Sequence, residues 1–175
     1  MNQSILRQFE VLETNKADIL QFLREQSEDD LTKKLPEKWT MIQAMRHVQM
    51  SENGSLQYMK KKIQAGDDLP TRGLIPRFYL LLLLFVFKIG LKFKAPEVIA
   101  NPKQTRLNEL ENDWNQSRNE MKEFLDQFPG KWENRAIYRH PFVGRLNLYD
   151  AMRFFNSHLN HHTRQVYRIK KQLRS

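Results

Sequence analysis

The chain of 175 residues contains no cysteine. Disulfides, thiolate zinc sites and a cysteine nucleophile supplied by the protein itself are therefore excluded. The amino-terminal stretch MNQSILRQFEVLETNK lacks the apolar core of a secretory leader, so a cytoplasmic location is expected. No stretch alternates polar and apolar residues as a half-buried strand does. The longest uninterrupted apolar run, Phe78 to Phe87, has ten residues, against the roughly 20 that a membrane span needs. Aromatic and basic residues do not interleave, and no helix-turn-helix pattern occurs. The net charge of +9 is therefore read as solvated helix faces, and no nucleic-acid partner is expected.

What the chain does have is helical periodicity. A hydrophobic content of 40% over this length supports one core, and a single domain spanning 1–175 is expected. Four long helical segments stand out. The first covers about 4–26, with Ile5, Phe9, Leu12, Ile19 and Phe22 on one stripe. The second starts at Trp39-Thr40, with Thr40 as N-cap, and runs to about Ile63 with Met41, Ala44, Val48, Ser51, Ser55 and Met59 inward. The third covers about 103–128 and the fourth about 147–173. Four such segments with a long second connection predict an all-α fold, a four-helix bundle with an apolar crossover between helices 2 and 3.

That crossover, residues 74–93, is expected to pack on the bundle or on a partner copy. A membrane-surface contact is its other reading, because Arg77, Lys88, Lys92 and Lys94 flank the apolar run. The connection PGKWENRAIYRHPFVGRLN between helices 3 and 4 reads as an ordered loop packed on the bundle.

The residues with chemical capacity lie on helices 2 and 4. In the last segment Leu148, Met152, Phe155, Leu159, His162, Val166, Ile169 and Leu173 repeat in a 4-3 rhythm, so His162 occupies a core slot. His158 lies one turn earlier on the edge of that face. His47 borders the buried face of helix 2, with Ala44, Ser51, Gly54 and Ser55 leaving room beside it. Were helices 2 and 4 neighbours, three imidazoles would converge and leave coordination positions open, the pattern of a catalytic metal site. Leu159 follows His158 where a zinc protease would carry Glu, so no built-in general base accompanies the pair. Glu52 is the candidate base or supporting carboxylate, Gln165 the residue that orients a ligand, and Asp150 ordinary helix polarity. His161 is expected to face solvent beside Ser157, Arg164 and Arg168, and His140-Pro141 to be structural.

Trp39-Thr40 with His47 and Glu52, then His140-Pro141-Phe142-x-Gly144-x-Leu146 and His158-x3-His162-x2-Gln165, resemble the DinB/YfiT-like family of bacterial helical-bundle proteins. The resemblance covers nearly the whole chain. It implies an up-down-down-up bundle, a homodimer, and a divalent metal on His47, His158 and His162. Zinc or nickel is the expected ion, with iron or manganese as alternatives. It further implies a group of metal-dependent hydrolases and thiol-dependent transferases acting on small molecules. Without cysteine, any thiol must come from a low-molecular-weight cosubstrate. The alternative is a non-catalytic metal-binding or vestigial scaffold that makes a dimer or membrane-surface contact through residues 74–93. The chain departs from the family in the apolar character of that segment, and no residue marks a substrate.

Overall fold

A computed structural model describes residues 2–36, 38–66, 69–71, 73–90 and 100–174. The chain is mostly helical, as its periodicity predicts. Among the described residues its α-helices are α1 (Gln3–Arg24), α2 (Glu28–Thr32), α3 (Met41–Gln64), α4 (Leu74–Ile89), α5 (Leu107–Asp126) and α6 (Leu148–Leu173). Residues 91–93 of the expected crossover lie outside the described residues.

Local chemistry sets the helix starts. Asn2 caps α1 by accepting from the Ser4 amide, and Asn147 caps α6 by accepting from Asp150. Thr40 and Gln43 form a reciprocal capping box at the start of α3. The polar link after α1 forms the short α2, an element the periodicity does not disclose. Ser27 caps it, and Glu28, Asp29 and Asp30 complement the dipole of its first turn.

α6 is the central rod. It packs against α1, α3 and α4, and α5 packs against α3 and α1. Leu12, Ile19 and Leu23 of α1, Met41, Val48 and Leu56 of α3, Leu110 and Trp114 of α5, and Met152, Phe155 and Leu159 of α6 are all fully buried. These residues follow the 3.6-residue repeat, so the burial of one face on each helix holds the fold together.

The expectation of a strand-free chain is corrected in the last connection. Tyr138–His140 and Gly144–Leu146 form an antiparallel hairpin, with Tyr138 opposite Leu146 and Arg139 opposite Arg145. Three-residue strands are too short to register as alternation, yet Tyr138, His140 and Leu146 do point inward while the two arginines point out. Gly144 sits at φ +90°, a conformation that a side chain rarely adopts. The Ser55 hydroxyl donates to Tyr138 Oη at 3.0 Å, which pins the hairpin to α3.

α4 is held by its carboxyl end. The Phe87 carbonyl accepts from Arg164 Nη2 at 2.8 Å and from His161 Nδ1 at 3.4 Å, so α6 side chains add to the Gly90 amide that caps the helix end at 3.2 Å. Gly90 ends the helix at φ +79°, where a Cβ would stand 3.2 Å from Arg168 Nη1. The left-handed turn is what favours glycine here, since the Arg168 guanidinium can shift by the few tenths of an ångström a Cβ would need.

Candidate metal centre

α3 supplies His47 and α6 supplies His158 and His162, and the packing of these two helices turns the rings toward one another. His47 Nε2 lies 3.2 Å from His158 Nε2, and His162 Nε2 lies 3.1 Å from the same atom. One nitrogen from each ring falls within 4.8 Å of the other two. All three residues are at least nine-tenths buried, at 3%, 6% and 7% exposure. Bonds of about 2.0–2.1 Å at tetrahedral angles place ligand nitrogens about 3.3 Å apart, close to the two separations observed.

Proton counting explains why a cation fits. Gln165 Oε1 can only accept, so His162 Nδ1, at 2.8 Å, carries the proton and donates it. His162 Nε2 is then a bare lone pair aimed at His158. His158 Nδ1 is buried without a hydrogen-bond partner among the described residues. With its proton on Nδ1, His158 adds a second lone pair to the cluster. With its proton on Nε2, it can donate to only one of its two neighbours. In neither tautomer is His158 fully hydrogen-bonded, whereas an ion at the shared point would take up its Nε2 lone pair.

The electrostatics agree. Burial holds His158 well below the ordinary imidazole range, and the neighbouring His162 and His47 push it further down. Burial likewise depresses His162, with His47 adding to the effect and Gln165 opposing it. Both rings are therefore neutral at neutral pH, the form that ligates.

Aromatic rings wall the cluster. Trp39 lies 4.7 Å from the His47 ring and 5.9 Å from that of His162. Its place just before the Thr40 cap bends it over the end of α3. Phe154 stacks on His158 at 5.3 Å, and Phe87 of α4 lies 5.7 Å from it. Phe154 was detectable as the residue one turn before His158 on the same face. Phe87 comes from a distant segment, and no local pattern marks it. These rings exclude water and strengthen electrostatic interactions inside.

The remaining sequence candidates lie elsewhere. Glu52 is fully buried and turned toward α5: Oε2 accepts from Trp114 Nε1 at 2.8 Å and Arg118 Nε at 3.0 Å, and Oε1 from Arg118 Nη2 at 3.0 Å. Burial pushes the Glu52 carboxyl upward, while Arg118 and Trp114 pull it back. Asp150 is buried at the start of α6, 3.9 Å from Arg153. His140 Nδ1 accepts from the Phe142 and Val143 amides, both at 3.2 Å, and burial lowers its pKa to about 4. The reading of His161 as solvent-facing is corrected. It is 8% exposed, because α4 closes over it and places the Phe87 ring 4.9 Å away.

The family model of the DinB superfamily matches residues 12–166, a span that contains His47, His158 and His162. The chain belongs to the DinB superfamily. No curated protein and no solved structure matches it. Within the family assignment, the three-histidine cluster is compatible with a divalent metal site.

Proposed function

We propose that this DinB protein is a metal-dependent enzyme acting on a small electrophilic substrate. His47, His158 and His162 hold one divalent ion, zinc or nickel before iron or manganese. The reading rests on one observation: one nitrogen from each of three buried imidazoles lies within 4.8 Å of the other two, with His158 Nε2 3.2 Å from His47 Nε2 and 3.1 Å from His162 Nε2. In this reading α1, α3, α5 and α6 form the up-down-down-up bundle, and α4 belongs to the connection between its second and third members.

A divalent ion bound by three histidines lowers the pKa of a coordinated water or thiol, supplying the nucleophile of a hydrolase or an S-transferase. The chain's own residues do the rest. Gln165 fixes the His162 tautomer, Trp39 and Phe154 orient and desolvate the rings, and Phe87 closes the side toward α4. Glu52 acts through structure, holding α5 against α3 behind His47. Because the chain has no cysteine, thiol transfer draws on a small exogenous thiol.

The test couples metal content to turnover. Protein purified without a histidine tag is reconstituted with each ion and screened for ester or amide hydrolysis and for thiol transfer. Activity that appears with metal and is lost both on chelation and in His162→Ala supports the reading. Stoichiometric metal with no turnover on any such substrate leaves a metal-binding scaffold instead.

A further inference from the structure

α4 buries only a narrow face. Leu80, Leu83 and Phe87 are covered, while Leu74, Ile75, Phe78, Tyr79, Leu81, Leu82, Phe85 and Ile89 are 47–83% exposed. At 100° per residue these eight positions fill one continuous arc of about 160°. Arg77 and Lys88 stand together along one edge of it, both exposed. Soluble proteins seldom leave an apolar face of this extent open to water. The helix has 16 residues, and no helix among the described residues is long and apolar enough to cross a membrane.

Two neighbouring features carry the same charge. On the edge bearing Lys88, a recess of about 300 Å³ opens between α4 and α6. Leu84, Lys88, Arg153, Ser157, Asn160 and Arg164 line it, and its lining includes no carboxylate. The hairpin packed beside α4 exposes Phe142 at its tip and sets Arg139 directly opposite Arg145 on its outer face. Like charges in direct cross-strand register repel unless an anion lies between or above them.

We propose that α4 docks in the interfacial layer of an anionic bilayer, with its apolar arc among the upper acyl chains. Lys88, Arg153 and Arg164 then receive a lipid phosphate in the recess beside the arc. Charge complementarity selects this occupant over a second copy of the chain. Neither residues 74–90 nor residues 138–146 contain an Asp or Glu. A two-fold contact through this face would set Arg77, Lys88 and the hairpin arginines against their own copies. A lipid surface supplies both the apolar layer and the missing anions.

Vesicle co-sedimentation of the full chain tests the proposal, using phosphatidylcholine alone and phosphatidylcholine mixed with phosphatidylglycerol. The chain is expected on the mixed vesicles, with binding weakened by salt, and not on the neutral ones. Phe78→Ser/Phe85→Ser is expected to lower partitioning by more than about tenfold, since both side chains give up apolar burial. Lys88→Glu is expected to lower it by about fivefold or more. All three positions are exposed, and unchanged circular dichroism and thermal midpoints establish that the variants fold. Failure to bind mixed vesicles, or equal binding to both kinds, overturns the proposal. So does a dimer, seen by light scattering, that Phe85→Ser dissociates, because the face would then belong to a second copy. None of these readouts involves the metal, so their outcome is independent of the histidine cluster.

Discussion

Glu52 and His158 sit on facing sides of the same helical core, at 0% and 6% exposure, and burial makes opposite demands on them. Around Glu52 the protein supplies every partner. Arg118 binds its carboxylate through two nitrogens, Trp114 adds a third donor, and Arg118 Nη1 reaches on to Glu13 at 2.7 Å. Lys16, also buried, donates to Glu13 at 3.1 Å and Asn115 at 3.2 Å. Charges and donors balance within the chain. Around His158 they do not: its Nε2 stands between two other imidazole nitrogens and can donate to only one of them, its Nδ1 has no hydrogen-bond partner among the described residues, and aromatic rings flank it. A buried group with a complete partner set organises the fold, and a buried group without one is organised for something that arrives from outside.

That contrast can be broken from either end. The largest effect is expected in Arg118→Leu, which leaves the Glu52 carboxylate buried and unpaired. Equilibrium unfolding should show a loss of roughly 3–5 kcal/mol, while the fraction that remains folded still takes up metal. Adding or chelating metal probes the other cluster. At a hundredfold excess of ion over Kd, wild type should gain about 2.7 kcal/mol, and His162→Ala should gain none. Gln165→Leu removes the acceptor that fixes the His162 tautomer, and a metal titration should show affinity reduced about 10–100-fold with little change in metal-free stability.

The pH dependence probes the same contrast from the side of the histidines. His140, His158, His161 and His162 are all depressed in the folded state, chiefly by burial. The unfolded chain therefore binds protons first, and metal-free stability should be fully present above about pH 6.5. It should fall as pH drops below that value, with the His140 contribution exhausted near its folded pKa of about 4. Urea titrations across this range check the direction, and bound metal should move the onset to lower pH in wild type but not in His162→Ala.

Much of this is legible in the sequence itself, because helices write their burial into a 3.6-residue repeat. The slot at His162, the neighbouring turn at His158 and the border position of His47 all followed from that repeat, as did the place of Gln165. Contacts between distant segments left no such trace. His161 looked exposed on its own helix because the element that covers it, α4, lies more than 70 residues earlier. Glu52 carried the right chemistry for a base, but its orientation depends on Arg118 and Trp114, which no spacing within α3 announces. The hairpin is silent in the sequence because three residues per strand are too few to establish a period.

Metal content against protein concentration, measured on tag-free wild type and His162→Ala after incubation with zinc and desalting, bears most directly on the central claim. One ion per wild-type chain and a substoichiometric amount in the variant are predicted. Equal retention by both proteins, or none by wild type, would contradict the assignment of the three imidazoles as a metal centre.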